Sequence, residues 1–261
     1  MTSRVCILGP SGRMGRALID AAAARSDLRV VAAVDRPDAT GLGTQIGPVI
    51  ATSDAAAGLD ASDVYVDFTS PAATRVIARL ACSRKRPAVI GTTGLSADDE
   101  AALAELSAVA PIVVAANFSL GVNLLLGFVR QAAAVLGTEW DAEVVETHHR
   151  AKRDAPSGTA LMIARAIAAG HDSDYDTVKR HSRDGEIGPR PQGQIGVSTV
   201  RGGDVIGEHT ASFFGPAERI EITHRASSRA IFAAGALRAA AWVVGKPPGR
   251  YDMLAVLGFA P

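Results

Sequence analysis

Short apolar runs alternate with alanine-rich stretches over residues 1–115 of the chain. The runs are apolar at consecutive positions, which is typical of parallel strands covered by helices on both faces. They predict five buried strands, at residues 5–8, 30–34, 64–68, 88–90 and 112–114. The stretches between them predict helices at about residues 14–24, 72–82 and 98–108. This alternation indicates the α/β class, with a Rossmann-type doubly wound parallel sheet.

The pattern changes after Asn117 and predicts an α+β second part with a mixed sheet. Helices are expected at residues 120–136, 159–168 and 231–244, and strands at 142–147, 195–201, 209–214 and 219–223. Gly202-Gly203-Asp204 is expected to form a hairpin turn. The polar, glycine-rich segment at residues 172–194 predicts a mobile loop, with a lid or an intersubunit contact as its candidate roles.

Composition narrows the class of protein. The 261 residues are 48% hydrophobic and carry a formal net charge of zero, so no overall basic field attracts nucleic acid or an anionic membrane. Cys6 and Cys82, the two cysteines, lie in apolar stretches and predict buried thiols rather than a disulfide or a zinc site. No signal peptide is evident, and no apolar run approaches the roughly 20 residues of a membrane helix. We therefore expect a soluble, cytoplasmic protein.

A glycine motif separates the first predicted strand from the first predicted helix, at Gly9-Pro10-Ser11-Gly12-Arg13-Met14-Gly15. Gly9 permits a tight turn, Gly12 lets backbone amides approach a pyrophosphate, and Gly15 allows close packing of helix and strand. The helix N-terminus also favours an anion. Because the spacing differs from Gly-x-Gly-x-x-Gly, a flavodoxin-like turn without a dinucleotide stays open as an alternative.

An acidic and a basic residue follow the second predicted strand. Asp35 lies 20 residues beyond Gly15, where its carboxylate can accept hydrogen bonds from the ribose hydroxyls of adenosine. The neighbouring Arg36 can pair with the 2′-phosphate of NADPH, or it can be an ordinary solvated arginine. The pair predicts that both NADH and NADPH are accepted.

Two further strand ends carry small or hydroxyl-bearing residues, Gly91-Thr92-Thr93-Gly94 and Ala115-Ala116-Asn117-Phe118-Ser119. In doubly wound sheets the ligand lies across the carboxyl ends of the strands, so we expect these loops to border a nicotinamide. Ordinary turn chemistry is the alternative for the first of them.

A basic segment, His148-His149-Arg150-Ala151-Lys152-Arg153, follows the strand at residues 142–147 and precedes Ser157-Gly158-Thr159 at a helix start. Helix starts present amide donors and a positive dipole end, which suit a carboxylate. Histidine exchanges protons near neutral pH, and lysine supplies positive charge or a proton. Adjacent histidines on extended backbone point to opposite sides, so one can face the reacting atom while the other binds a carboxylate. An exposed or capping pair is the alternative.

With these residues the chain resembles the 4-hydroxy-tetrahydrodipicolinate reductase family, formerly called dihydrodipicolinate reductase, of the bacterial diaminopimelate route to lysine. The resemblance covers essentially the whole chain, and its most specific stretch is Glu-x-His-His-Arg-x-Lys-x-Asp-Ala-Pro-Ser-Gly-Thr at Glu146 to Thr159. The other matching stretches are the glycine motif, Asp67 to Pro71, Gly91 to Gly94, Asn117 to Asn123, Gly203 to Thr210, Glu221 to Arg229 and Tyr251 to Met253.

The resemblance implies reduction of a cyclic dicarboxylic α,β-unsaturated imine by NADH or NADPH. Hydride goes to the carbon that carried the hydroxyl, and the neighbouring carbon is protonated. His148 is implied as proton donor and acceptor, and Lys152 as a proton donor. The implied substrate contacts are His149, Ser157, Gly158, Thr159 and Arg229. The implied cofactor contacts are Gly9, Pro10, Ser11, Gly12, Arg13, Met14, Asp35, Arg36, Gly91, Thr92, Thr93, Ala115, Ala116, Asn117 and Phe118.

The resemblance also implies a homotetramer assembled through the second sheet. Residues 1–119 and 230–261 are expected to form the dinucleotide-binding domain, and residues 120–229 the substrate-binding and oligomerisation domain. The expected partner is a small cyclic dicarboxylate, without metal, nucleic acid or membrane. The departures from the family pattern, at Pro10-Ser11, Ala116 and Gly215-Pro216-Ala217, remove no chemical group.

Two alternative functions come from different classes of protein. An aspartate or homoserine dehydrogenase has a similar nucleotide domain, but the segment from His148 to Thr159 differs from the constellations those enzymes use. A non-catalytic NAD(H)-binding redox regulator would need a module for a partner or DNA, and neither a recognition helix nor a basic face is evident. The preferred cofactor and any enzymatic dehydration of the hydroxylated precursor stay open.

Overall fold

The computed structural model describes residues 2–259, so Met1, Ala260 and Pro261, all three part of the predicted nucleotide-binding domain, lie outside the described residues. By its contacts the chain divides into two compact units. One comprises Met1–Leu120 together with Ala230–Pro261, and the other comprises Gly121–Arg229.

The first unit begins as an alternation of buried strands and capped helices. Its elements as far as residue 114 are β1 (Ser3–Leu8), α1 (Arg13–Ala23), β2 (Leu28–Val34), β3 (Gln45–Ile46), β4 (Val49–Thr52), α2 (Ala55–Ala61), β5 (Val64–Asp67), α3 (Pro71–Cys82), β6 (Ala88–Ile90), α4 (Ala97–Val109) and β7 (Pro111–Val114). Helix α3 starts where the Ser70 side chain accepts a bond from the Ala73 amide, with Pro71 at the first position. Helix α4 starts with a capping box between Ser96 and Asp99.

The second unit holds a mixed sheet. Its elements are α5 (Leu120–Leu136), whose first residue belongs to the first unit, then β8 (Asp141–His148), α6 (Gly158–Gly170), α7 (Tyr175–Val178), β9 (Lys179–Arg180), β10 (Ile195–Arg201), β11 (Glu208–Gly215) and β12 (Glu218–Arg225). The strand order is β12-β11-β8-β10-β9. Strand β8 pairs parallel with β10 and antiparallel with β11. Helix α6 packs on β8, β10 and β11.

The chain then completes the first unit with α8 (Ala230–Val243), β13 (Gly249–Tyr251) and α9 (Met253–Leu257). The eight-stranded sheet has the order β13-β7-β6-β5-β1-β2-β4-β3, and its pairs are parallel except for β3 with β4. The chain runs outward from β1 through β2 and returns on the other side of β1 at β5. The ends of β1 and β5 therefore form the topological switch point at which such sheets bind ligands. This architecture confirms the predicted Rossmann-type sheet with a second, mixed sheet.

The hairpin expected at Gly202-Gly203-Asp204 is wrong. Strands β10 and β11 are not neighbours, because β8 lies between them and pairs with both. The two-residue hairpin joins β11 to β12 instead, with Ala217 at φ +62°. The polar segment was also predicted as loop throughout, whereas it contains the short elements α7 and β9.

Other expectations need smaller corrections. The prediction missed β3, β4, α2, β13 and α9, which are short. Cys6 is buried within the core, whereas Cys82 at the end of α3 is only half-buried. Within residues 2–259, no helix is long and apolar enough to cross a membrane.

Candidate functional site

The glycine motif forms a tight turn between β1 and α1. Gly9 has φ +65°, and the Gly12 amide donates to the Gly9 carbonyl at 3.0 Å. A Cβ at Gly15 would lie 2.1 Å from that carbonyl oxygen, so only glycine lets the helix pass this close to the turn. Gly12 caps α1 without a side-chain bond, and no acidic residue lies in the first turn. The start of α1 therefore keeps the positive end of its dipole for an anion.

Asp35 lies directly after β2 and faces this turn. Its Oδ2 accepts a bond from the Ser11 amide at 3.1 Å and a short bond from the Ser11 hydroxyl, and its Oδ1 accepts from the Arg36 amide at 2.9 Å. The side chain of Arg36 is exposed and contacts Asp38. The carboxylate and the guanidinium thus lie side by side at the strand end, as the sequence predicts.

A cavity of about 900 Å³ opens at the ends of β1, β2 and β5 within the first unit. Its lining combines the glycine motif and the Asp35-Arg36 pair with apolar side chains of α3, including Val76 and Ile77. Its volume falls in the range of small-molecule sites, and its walls offer both an apolar surface and ribose- and phosphate-binding groups. These residues fit the adenosine part of a dinucleotide.

A buried carboxylate organises the neighbouring strand ends. Asp67, the last residue of β5, accepts bonds from the amide and hydroxyl of Thr69 at 2.8 and 2.6 Å. It also accepts from the Thr74 hydroxyl at 2.7 Å, which in turn lies 2.8 Å from the Thr92 hydroxyl. This network holds the Gly91-Thr92-Thr93 loop against the end of β5.

Aromatic rings pack between the loop after β6, which contains Gly91, and the loop after β7, which contains Phe118. A Cβ at Gly91 would lie 2.1 Å from the Phe68 ring, which itself meets the Phe118 ring edge-on at a centroid distance of 5.3 Å. The Asn117 side chain accepts a bond from the Ser119 amide at 2.8 Å and so shapes the turn after β7. The structure therefore brings the predicted cofactor residues of four strand ends, those of β1, β2, β6 and β7, to one edge of one sheet.

In the second unit, strand β8 divides its side chains between two faces. Ala142, Val144, Glu146 and His148 are buried, and helix α6 covers the sheet on that side. The intervening positions, which include Val145 and the half-buried His149 just beyond the strand, face the other way. The two adjacent histidines thus lie on opposite sides, as expected for extended backbone.

Glu146 accepts hydrogen bonds from four other residues. Arg201 binds both carboxylate oxygens, at 2.8 and 2.9 Å, and His148 Nδ1 lies 2.5 Å from Oε2. The Ser157 amide and the Thr199 hydroxyl donate to Oε1 at 3.0 and 3.2 Å. Burial alone would raise the pKa of the Glu146 carboxyl, but the bonds from Arg201, His148 and Ser157 outweigh it and hold the pKa below its usual value.

A second histidine borders this cluster. His209, on β11, stacks edge-on against the His148 ring at a centroid distance of 5.2 Å, and its Nε2 lies 3.0 Å from the Ser157 hydroxyl. Burial lowers the pKa of His209 to about 4. His209 is therefore neutral at physiological pH.

Ser157 connects the cluster to the start of α6. Its hydroxyl accepts a bond from the Ala160 amide at 3.2 Å, which makes it the N-cap of the helix. A side chain added at the exposed Gly158 would meet no atom within 4 Å, so the first residue of α6 borders free space. A negatively charged group can approach this helix start without displacing any part of the unit.

The sequence predicts three further residues for this site, Lys152 as a proton donor and His149 and Arg229 as substrate contacts. Lys152 Nζ pairs with Asp154 at 2.9 Å, a bond that holds the pKa of Asp154 below its usual value. The His149 amide donates to the Val205 carbonyl at 2.7 Å, which fixes the backbone after β8. Arg229 is exposed at the end of the second unit, and no described contact brings it to His148.

Sequence reasoning gave no role to Glu146, Arg201, His209 or Asp67. Glu146 stands two residues before His148, so the two-residue period of a strand could have placed both on one face. Arg201 and His209 reach this face only through the pairing of β10 and β11 with β8, which no local pattern encodes. Among the described residues, no group of three or more His, Cys, Asp or Glu side chains could hold a metal ion.

Comparisons with known proteins agree over nearly the whole chain. The family models for the N-terminus and the C-terminus of dihydrodipicolinate reductase match residues 3–118 and 121–257. The 4-hydroxy-tetrahydrodipicolinate reductase of Myxococcus xanthus is 47% identical over 98% of each protein, and that of Thiobacillus denitrificans is 47% identical over 99% of each. A dipicolinate-bound dihydrodipicolinate reductase from Paenisporosarcina sp. TG-14 is similar in structure, with a TM-score of 0.79 and 26% identity, over 97% of this chain and 98% of that one.

Proposed function

The chain belongs to the dihydrodipicolinate reductase family, and from this premise we propose how its residues divide the work of the reaction. It is a pyridine-nucleotide-dependent oxidoreductase of lysine biosynthesis, which reduces the 4-hydroxy-tetrahydrodipicolinate intermediate to tetrahydrodipicolinate.

Both NADH and NADPH are proposed to bind at the strand ends of the first unit. The reduced nicotinamide supplies the hydride when it is bound. The turn from Gly9 to Met14 would hold the pyrophosphate, Asp35 the ribose hydroxyls and Arg36 a 2′-phosphate. The loops at Gly91 to Thr93 and Ala115 to Phe118 would border the nicotinamide. The cavity at the glycine turn supports this assignment.

The substrate carboxylates are proposed to bind at the start of α6. The amides of Gly158 and Thr159 and the N-cap Ser157 stand at the positive end of the helix dipole. His149 and Arg229 are further contacts that the family pattern implies. The relative solved with dipicolinate supports a small cyclic dicarboxylate as the ligand class.

His148 is proposed to exchange the proton, with Lys152 as a further donor. One observation carries this assignment. The ring of His148 is the one titratable ring that the described contacts fix to a buried carboxylate, beside the helix start that would hold the substrate. A histidine so placed can protonate the carbon next to the one that receives hydride.

The assembly and the location of the protein also stay proposals. We expect a homotetramer formed through the face of the second sheet opposite α6, because Val145, Val200 and Phe214 on that face are 40%, 46% and 38% exposed. The cytoplasmic location expected from the sequence stays a prediction.

Replacement of the proposed proton donor tests this function. His148→Gln is expected to lower kcat on the order of 10²- to 10⁴-fold and to leave NADH affinity unchanged, since proton transfer alone is lost. Steady-state kinetics with freshly prepared substrate and an NADH titration measure both quantities. His181→Gln makes the same change in the polar segment at residues 172–194 and serves as the control. Near-normal turnover of His148→Gln would remove His148 from the mechanism.

A further inference from the structure

We propose that Glu146, held by Arg201, is a positioning residue that fixes the His148 ring with Nδ1–H toward the carboxylate and leaves Nε2 as the atom that exchanges the proton. The inference rests on the proposed function, in which His148 supplies that proton. It adds two residues, on two strands, that no sequence pattern assigned to the reaction.

The hydrogen bonds around Glu146 determine its charge. Both of its oxygens accept from groups that can only donate, namely the Arg201 guanidinium at Oε1 and Oε2 and the Ser157 amide at Oε1, and the Thr199 hydroxyl also lies within bonding distance of Oε1. A protonated carboxyl would place its own hydrogen against one of these donors. Glu146 is therefore a carboxylate, and it accepts at both oxygens.

The charge of Glu146 in turn determines the tautomer of His148. A carboxylate cannot donate, so the contact of 2.5 Å to Nδ1 requires that Nδ1 carries the hydrogen. In the neutral ring the lone pair is then on Nε2, and in the charged ring Nε2 carries the second proton. Only Nε2 can lose or gain a proton without breaking the bond to Glu146.

Arg201 supplies the counter-charge that stabilises the buried carboxylate of Glu146. The Glu146 side chain is fully buried, and a buried carboxylate without a counter-charge is strongly disfavoured. Arg201 binds it with two parallel bonds and donates a third, of 2.6 Å, to the Asp154 carbonyl. Because Asp154 pairs with Lys152, the same arginine also fixes the backbone that carries the second proposed donor.

Glycine at position 207 leaves free space beside Nε2 of His148. A Cβ at Gly207 would lie 3.0 Å from His148 Nε2 and 3.4 Å from Cδ2. Residues 2–259 supply no hydrogen-bond partner for Nε2, whereas Nδ1 is engaged. The ring thus presents Nε2 to the side where glycine leaves room for another molecule.

The proton balance of the step is simple. After hydride has reached the substrate, the Nε2–H bond breaks, a C–H bond forms at the neighbouring carbon, and the ring is left neutral with its lone pair on Nε2. Water then returns a proton to Nε2. The Nδ1–H bond to Glu146 stays intact throughout.

Strand β8 carries a second carboxylate that is paired with arginines, that of Glu143. Glu143 is held by Arg183 and Arg190, but it faces the other side of the sheet, and no described hydrogen bond or ion pair joins it to a histidine. Glu143→Gln therefore serves as a matched control. It removes from β8 a carboxylate that binds arginines, and it leaves the contacts of His148 unchanged.

The test combines ring NMR with kinetics on the full-length enzyme. The chain has only six histidines, so ¹⁵N labelling of histidine followed by comparison with His148→Gln assigns the His148 ring. The wild-type neutral ring is expected to show the Nδ1–H tautomer. In Glu146→Gln the amide NH₂ can face Nδ1, and we expect the Nε2–H tautomer to appear. We also expect kcat to fall on the order of 10²-fold, with the substrate KM within about 3-fold of wild type.

A double variant separates positioning from stability. Glu146→Gln leaves the half-buried Arg201 without its carboxylate partner, so the melting temperature of the variant should fall. Glu146→Gln with Arg201→Met removes the arginine charge as well and should recover stability, but it should not recover kcat. Recovery of kcat together with stability would show that Glu146 only supports the fold. A His148 ring that keeps its Nδ1–H tautomer in Glu146→Gln would overturn the proposal, and so would a changed tautomer with normal kcat.

These readouts also distinguish this inference from the function on which it rests. Normal turnover of His148→Gln would refute the role of His148. The tautomer measured by NMR tests separately whether Glu146 orients the His148 ring. Gly207→Ala adds a check on Nε2 itself. Its methyl group should lower kcat by about 10-fold or more by blocking access to Nε2, while the ring keeps its Nδ1–H tautomer. An unchanged kcat in Gly207→Ala would show that the proton does not pass through Nε2.

Discussion

At the scale of single residues, two buried carboxylates organise the two candidate sites in different ways. Asp67 accepts from hydroxyls and a backbone amide, and it holds the strand-end loops of the first unit. Glu146 accepts from a guanidinium and an imidazole, and it orders a titratable ring. The first carboxylate shapes a binding surface, and the second controls where a proton resides.

Arg36 is the residue at which cofactor preference should be measurable. Its side chain is 75% exposed, and its described ion pair is with the exposed Asp38, so it can turn to a 2′-phosphate at little cost. We expect Arg36→Ala to raise the KM for NADPH by about 10-fold more than that for NADH. Steady-state kinetics with each cofactor measure this difference. Arg29→Ala, which replaces an exposed arginine of β2, the strand before Arg36, is the control, and equal losses for both cofactors would contradict the assignment.

His209 should make the protein sensitive to mild acid. Burial lowers its pKa to about 4 in the folded state, whereas the ring in the unfolded chain titrates near 6.5. The unfolded state therefore binds more protons below pH 6.5, and folding should lose about 2 kcal/mol between pH 7 and pH 5 from this residue. Urea unfolding of wild type and His209→Gln at both pH values measures the difference.

The variant should lose less stability than wild type over the same interval. Burial also lowers the pKa of His171 and His224, so part of the pH dependence should persist in His209→Gln. An identical loss in both proteins would show that His209 is not the responsible group.

At the scale of elements, the segment predicted as a mobile loop is tied to β8. Arg183 binds both oxygens of Glu143 at 2.7 and 2.8 Å, and Arg190 contacts Glu143, Asp141 and the Ala142 carbonyl. Gly196 makes this possible, because a Cβ there would overlap the Glu143 carboxylate. Two arginines thus bind this segment to the start of β8, the central strand of the sheet.

Removal of the shared carboxylate should loosen the segment. Glu143→Gln is expected to weaken its attachment by about 1 kcal/mol and to speed amide exchange over residues 181–194 by about 5-fold. Hydrogen–deuterium exchange measured by mass spectrometry reports this directly. Glu186→Gln, an exposed change within the segment, should leave exchange as in wild type. Unaltered exchange in Glu143→Gln would mean that other contacts hold the segment.

The elements that the sequence predicted well are those with one strong local pattern. The continuous apolar runs became β1, β5, β6 and β7, and the long apolar stretch became α5 with the expected bounds. Strands β3 and β4 span two and four residues, too few to show a period. The error at Gly202-Gly203-Asp204 has a different origin, since the neighbour of a strand is decided by tertiary pairing with β8.

The same distinction holds for the candidate site. The glycine turn, Asp35 and the helix start at Ser157 are local motifs, and the structure places them where the sequence puts them. Arg201 reaches Glu146 across 55 residues of chain, and only the β8–β10 register brings the two together. Long-range pairing is therefore what sequence reasoning lacked.

At the scale of the whole molecule, the open face of the second sheet is the expected site of assembly. Its exposed apolar residues are Val145, Val200 and Phe214, from three adjacent strands. We expect wild type to sediment well above the 26.9 kDa of one chain, and Val200→Glu to shift it to smaller species, because a charge would be buried at the contact.

Sedimentation velocity measures the assembly directly. Val135→Glu provides the control, since this valine on α5 is 85% exposed and lies outside the open face. A monomeric wild type, or an unchanged mass in Val200→Glu, would refute assembly through this face.

The alternation along β8 has a consequence for how this protein can diverge. Its even-numbered positions from Ala142 to His148 are buried and include Glu146 and His148, and the odd-numbered positions face the open side. Insertion or deletion of a single codon within the strand would exchange the two sets, sending Glu146 and His148 outward and Val145 inward. Descendants of this gene should therefore accumulate substitutions in β8 but keep its length, and their insertions should collect in the connections on either side.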